Sequence, residues 1–292
     1  MLTYNDDSLS FPHEIRLHKQ AKARIMSLFH LFILAVIQGL TEFLPISSSG
    51  HLILLPKLTS FEDQGQIMDV AVHIGTLGAV VLYFWVDVKK TMIGLGEILR
   101  GQFTSDNAKL ALLLITATIP VIIAGLILKL TGLSDALRSI KVIAWTMLIF
   151  GIVLYIVDQK GAHIKTTKDW NYTDSIKLGL WQMLALIPGT SRSGITITGA
   201  RQMGYTREDG ARISMLMSIP TIIASGLLLS IEVVSTANIQ AARDGAIAAV
   251  FAFIAALLAL TLMMRLLKSV SFTPYVIYRV LLGFGLLWIA YS

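Results

Sequence analysis

The chain of 292 residues contains no cysteine, which excludes disulfides and thiolate metal sites. Charge is nearly as scarce. Only 14% of residues are Asp, Glu, Lys or Arg, against 55% hydrophobic, whereas soluble domains carry about 25% charged residues. So little charge excludes an ordinary soluble enzyme and points to an integral membrane protein built from helices. No P-loop, HExxH or GxSxG pattern occurs. The net charge of +6 is no nucleic-acid footprint, because the basic residues flank apolar runs, where they act as topology signals and contact anionic lipid. Residues 1–25 have no apolar stretch and carry Arg16, Lys19, Lys22 and Arg24, so they read as a tail outside the membrane and not as a signal peptide. The membrane pattern begins at Met26, which is the expected natural start.

What the chain does have is long apolar runs, near 67–86, 110–130, 142–157, 213–234, 245–264 and 275–291. A span needs about 20 apolar residues, so these predict six transmembrane helices. Pro120 and Pro220 fall inside two of them, where membrane helices tolerate the break. Two further apolar stretches are too short and too interrupted to cross. Residues 27–44 stop at Pro45 and a serine triplet before a second short piece from His51 to Pro56, and residues 178–187 stop at Pro188-Gly189 before 194–204. Each predicts a short helix, a break and a second short helix, that is, a re-entrant hairpin.

The two halves correspond. Aligning Ser47-Ser48-Ser49-Gly50 with Ser191-Arg192-Ser193-Gly194 also aligns Gln38 with Gln182. The expected organisation is therefore a tail over 1–25, one repeat over 26–158 and a second over 159–292, each a hairpin followed by three spans. An odd number of spans separates the hairpins, so the repeats are inverted, which brings the hairpins in from opposite faces. The loops holding Lys89, Lys90, Arg100, Lys109, Lys160, Lys165, Lys168, Lys177, Arg265 and Lys268 share one side; Lys57, Lys129, Arg138, Lys141 and Arg243 share the other. By the positive-inside rule the first side is cytoplasmic, and both chain ends and the mouth of the site face the periplasm.

Polar groups are costly at membrane depth and mark function by default. Glu42 is the only acidic residue in either hairpin, one helical turn after Gln38. It is placed to hold a divalent cation or to take a proton from a hydroxyl. Ser47, Ser48 and Ser49 follow the proline break, where a serine caps free amides and the helix N-terminus attracts an anion. His51 lies two residues beyond. Arg192, between Ser191 and Ser193, needs a negative partner: Glu42 as a structural ion pair, or a phosphate held through the planar guanidinium fork. Asp69 and His73 read as a buried polar pair; Arg201, Arg207, Arg212 and Arg279 read as headgroup or helix-end residues. The histidine-nucleophile lipid phosphatases need a histidine and an aspartate where this chain has Thr198 and Gln202.

Gln38-x-x-x-Glu42, Pro45-x-Ser-Ser-Ser-Gly-His51, Pro188-Gly-x-Ser-Arg-Ser-Gly-x-Thr196 and Ser271-Phe-x-Pro-Tyr-x-Ile-Tyr-Arg279 together resemble the bacterial undecaprenyl-diphosphate phosphatases of the bacitracin-resistance type. The resemblance runs from about Met26 to the C-terminus. It differs at Gln38, where the family often has Glu. It implies an inner-membrane hydrolase that turns undecaprenyl diphosphate into undecaprenyl phosphate using a divalent cation, Mg²⁺ or Ca²⁺, with frequent homodimers. On the matching positions we expect catalytic roles for Glu42, Ser48, His51 and Arg192, with Ser48 the nucleophile, Ser47 the runner-up and direct attack by metal-bound water the alternative, substrate contacts from Ser47, Ser49, Gly189, Ser191, Ser193 and Thr196, and metal ligation by Gln38 and Glu42. The rival expectation is an inverted-repeat transporter or lipid flippase using the same midplane site without hydrolysis.

Overall fold

Apolar runs bounded by Gly, Pro and serine breaks give eleven α-helices in the described residues of the computed structural model, which cover 28–58, 65–133, 137–160, 164–233 and 239–292. The tail over 1–25 lies outside them. In chain order the helices are α1 (Leu28–Phe43), α2 (Ser48–Leu58), α3 (Gly65–Tyr83), α4 (Trp85–Leu99), α5 (Asp106–Thr131), α6 (Ile140–Gln159), α7 (Tyr172–Met183), α8 (Arg192–Gln202), α9 (Arg207–Val233), α10 (Ile239–Leu266) and α11 (Thr273–Tyr291). Five of them, α5, α6, α9, α10 and α11, are each long and apolar enough to cross a membrane, and α3 with α4 makes a sixth when the bent pair is counted as one. The protein is an all-α, multi-pass membrane protein. Its outward faces carry unpartnered apolar side chains such as Ile123, Ile127, Ile149, Leu258, Leu281 and Trp288, the surface a bilayer solvates.

The first span departs from the expected 67–86. Helix α3 stops at Tyr83, and the chain turns by 93° into α4. No Pro or Gly signals this corner; Phe84 is buried in the main core and anchors it. Both interrupted segments form as expected: α1 and α2 flank one break, and α7 and α8 flank the other, with a 3-10 turn at Leu184–Leu186. Pro120 and Pro220 lie inside continuous helices.

The halves pack by exchange. Helix α1 of the first half lies against α10 of the second, and α7 of the second lies against α5 of the first; α3 contacts α9, and α6 pairs with α11. Close backbone approach needs small residues at the crossings. A Cβ on Gly39 would meet Ala255 Cβ at 2.6 Å, and one on Gly179 would meet the Ala117 carbonyl at 2.7 Å. The main core sits where α3, α5, α9 and α10 meet, around Val80, Leu114, Met217 and Leu260. Both breaks are thereby wrapped in protein, the condition for irregular backbone at membrane depth.

Of the arginines expected at headgroups or helix ends, Arg201 and Arg279 are instead buried, whereas Arg207, which begins α9, and Arg212 are partly exposed. Arg279 is fully buried and donates to the carbonyls of Pro45, Thr146, Met147, Gly189 and Thr190 at 2.9–3.4 Å. It ties both breaks to α6. Buried Asp158 accepts from Arg201 and Arg207, each at 2.9 Å, and from the Phe272 amide at 3.2 Å. Arg212 forms a two-point ion pair with Asp87. Unpaired charge is too costly at this depth, and these partners come from segments no local pattern connects.

Candidate functional site

The two serine turns are built alike. Ser47 and Ser191 are the only non-glycine residues with positive φ among those described, at 75° and 71°. That region is sterically unfavourable for residues with a Cβ. Each is held there by the same bonds. Ser47 Oγ accepts from the Gly50 amide at 3.3 Å, and Ser191 Oγ accepts from the Gly194 amide at 3.1 Å. Each lies near the Oγ of the serine two residues on, at 3.5 Å to Ser49 and 3.2 Å to Ser193. These are N-caps that start α2 and α8. Ser193 also donates to the Leu44 carbonyl at 2.9 Å, joining one turn to the other.

The turns aim unlike residues at one carboxylate. Ser48 and Arg192 occupy matching positions, and both donate to Glu42. Ser48 Oγ reaches Oε2 at 2.7 Å, and Arg192 Nη2 reaches Oε1 at 2.8 Å. Gln38 Nε2 adds a bond to Oε2 at 3.0 Å from the preceding turn of α1. Glu42 is 8% exposed and Gln38 is fully buried, so the cluster is largely shielded from bulk water. Arg192 also donates to the Ser214 carbonyl of α9 at 3.4 Å.

His73 completes the cluster. Its Nε2 lies 3.9 Å from Glu42 Oε2, while its Nδ1 is 2.6 Å from the backbone carbonyl of Asp69. Sequence reading paired it with Asp69 and missed its approach to Glu42, which depends on how α3 packs beside α1. The one available signal was an imidazole inside an apolar run.

The remaining expected site residues surround this cluster. His51 turns away from Ser48: Nδ1 is 2.7 Å from the Ser47 carbonyl, Nε2 is 2.6 Å from the Tyr278 hydroxyl, and the two rings stack. Ser49 is exposed, whereas Ser191 and Ser193 are buried. Thr196 Oγ1 bonds to the Arg192 carbonyl and to Ser214 Oγ, so it braces α8 against α9. Gly189, with φ of 89°, sits where a Cβ would meet Thr146 Oγ1 at 2.2 Å. Its carbonyl is one of the Arg279 acceptors.

No group of three or more His, Cys, Asp and Glu side chains is placed to hold a metal among the described residues. An oxygen donor set is nonetheless present. Gln38 Oε1 is buried with no hydrogen-bond partner, while Nε2 of the same amide faces the Glu42 carboxylate. Hard divalent cations take such carbonyl and carboxylate oxygens, completing their shells with water and phosphate. A half-protein, half-substrate ligand set therefore fits the residues present.

The arrangement combines a hydroxyl bonded to a carboxylate with a guanidinium able to grip an anion, at the junction of two helix N-termini. The family model described as "Bacitracin resistance protein BacA" matches residues 31–285. A protein of Ruegeria pomeroyi named undecaprenyl-diphosphatase is 69% identical over 267 residues, covering 91% of this chain and 100% of the relative. One of Jannaschia sp. with the same name is 67% identical with the same coverage. A more distant namesake from Maricaulis maris is 44% identical over 90% of this chain and 98% of its own. With its buried Glu42–Arg192 junction of two broken hairpins, the chain belongs to the bacitracin resistance protein BacA family.

Proposed function

We propose that this protein is an inner-membrane hydrolase that removes the terminal phosphate of undecaprenyl diphosphate, returning undecaprenyl phosphate for reuse as a carrier in cell-wall synthesis. The observation that carries the reading is the convergence of Ser48 and Arg192, from opposite halves, on the single carboxylate of Glu42. The relatives' names support the substrate and lend nothing to the transport alternative.

The resting cluster is self-neutralised, and substrate exchanges its partners. The incoming diphosphate takes Arg192 from Glu42, and the planar fork spans two phosphate oxygens. Ser191, Ser193 and the amides at the starts of α2 and α8 orient the remaining oxygens. Released from Arg192, Glu42 accepts the Ser48 proton across the 2.7 Å bond already formed. Ser48 Oγ attacks the terminal phosphorus, and the bond from that phosphorus to the bridging oxygen breaks, leaving undecaprenyl phosphate. Glu42 passes the Ser48 proton to the departing undecaprenyl phosphate and, again a carboxylate, takes a proton from water; the hydroxide cleaves the phosphoserine to inorganic phosphate, and this second proton returns to Ser48 Oγ. Positioning and charge neutralisation account for most of the acceleration in such transfers. Glu42 and Gln38 would hold a divalent cation, Mg²⁺ or Ca²⁺, whose chemistry is to neutralise the bridging and leaving oxygens. His51 fixes the Ser47 carbonyl and so orients the serine turn. His73 stands near enough to tune Glu42.

Phosphate release by purified protein in detergent, with and without EDTA, tests the reading. The expected result is release that stops with EDTA and returns with Mg²⁺ or Ca²⁺. Binding of the lipid without release would overturn it. The mouth of the site opens to the periplasm in this proposal. With no native cysteine, Arg138→Cys should react with an impermeant maleimide in intact cells and Lys168→Cys only after lysis; the reverse pattern would invert the topology. A homodimer belongs to the same proposal, and a monomeric mass by light scattering would remove it.

A further inference from the structure

A second cavity, of about 770 Å³, lies between α4, α5, α9 and the 3-10 turn at Thr167–Asp169, on the lysine-rich face and apart from the Glu42 cluster. Its lining includes Lys90, Lys109 and Lys168. Asp87 and Arg212, also in the wall, neutralise each other through their two-point pair. That leaves three ammonium groups against the single carboxylate of Asp106. The wall also holds Trp170, which is 2% exposed and whose indole Nε1 is buried without an acceptor. That Nε1 is closed off from the cavity, so what the cavity lacks is negative charge.

The neighbouring helix indicates where the negative charge comes from. After the 93° corner, α4 exposes Trp85, Met92 and Leu99 at seven-residue intervals, with Val86 and Ile93 beside them. That spacing puts them on one face. An apolar stripe with lysines next to it marks a helix lying in the headgroup layer. We infer that this cavity binds the phosphate of a lipid headgroup from the lysine-rich leaflet. Lys90, Lys109 and Lys168 supply the charge that holds it.

The test uses the full chain in maltoside micelles, titrated calorimetrically with dihexanoyl phosphatidic acid, dihexanoyl phosphatidylcholine and inorganic phosphate. Phosphatidic acid should bind, and phosphatidylcholine and inorganic phosphate should bind much more weakly. Lys109→Ala with Lys168→Ala should weaken phosphatidic acid binding roughly tenfold at unchanged melting temperature, because both lysines are exposed. Arg192→Ala, in the other site, should bind normally. Unchanged binding in the lysine variant, or equal binding of phosphatidylcholine, would overturn the inference. Equal binding of inorganic phosphate would overturn the headgroup assignment.

Discussion

The two hairpins share a scaffold and divide the chemistry. Both have a serine at positive φ, the same cap to a glycine amide and a neighbouring serine hydroxyl. Both carry a fully buried glutamine, Gln38 and Gln182, whose Oε1 has no partner. They differ in what the scaffold presents. Glu42 of the first is matched by Leu186 in the second, Ser48 by Arg192 and His51 by Ile195. In the proposed mechanism one serine turn supplies the base and nucleophile and the other the cation. Because Ser48 and Arg192 meet on one carboxylate, neither hairpin is a site alone. Helix α1 packs on α10 and α7 on α5, so the first helix of each hairpin is held by a helix from the other half of the chain.

The largest effects come from removing what only one hairpin has. Glu42→Gln keeps size and most hydrogen bonding, and should lower phosphate release on the order of 10³-fold in a stopped assay with saturating Mg²⁺. Arg192→Lys should fall by a similar factor, because a point charge does not replace the fork. Near-normal release by Arg192→Lys would leave Arg192 a structural partner of Glu42. The stability arm separates these readings. Glu42→Leu, copying the second hairpin, strands Arg192 and should destabilise by about 3–5 kcal/mol. Adding Arg192→Met should recover most of that in detergent melts without restoring turnover.

Next in size is the choice between serines. Ser48→Ala should lose release as severely as Glu42→Gln, yet cost only about 1 kcal/mol in stability, the worth of one hydrogen bond. Ser47→Gly should keep most activity, since glycine accepts the positive φ and replaces a cap residue at a few tenths of a kcal/mol. If Ser47→Gly is dead and Ser48→Ala active, the nucleophile is misassigned. Ser191→Gly should match Ser47→Gly in a melt but lose more turnover, because its hydroxyl also orients phosphate; a large gap between the two melts would end the structural equivalence of the turns. Smallest is Tyr278→Phe, which removes the 2.6 Å contact to His51. It should cost about 1 kcal/mol in a melt with a modest loss of turnover.

The hairpins were legible because Pro45, Pro188-Gly189 and the serine clusters interrupt apolar runs locally. The long helices followed from hydropathy, and the pairing of Arg192 with Glu42 was one of two partners that scarcity of charge left open. The corner at Phe84 was not legible, since the apolar run continues through Trp85 and Val86 and only burial against the core stops the helix. Nor was His73 beside Glu42, nor Asp158 between Arg201 and Arg207. Those contacts are set by which helix packs on which, and the sequence pattern constrains a helix's own faces far more than its neighbours.

Arg279 has a mechanical consequence. One guanidinium is bonded to carbonyls of both breaks and of α6, so it works as a rivet through three segments remote in sequence. Neither turn loosens without withdrawing donors from the other. The amides around Gly50 and Gly194 should therefore exchange with solvent at a common rate, as one opening unit, although each lies on its own hairpin. Shortening the rivet in Arg279→Lys should split that single rate into two.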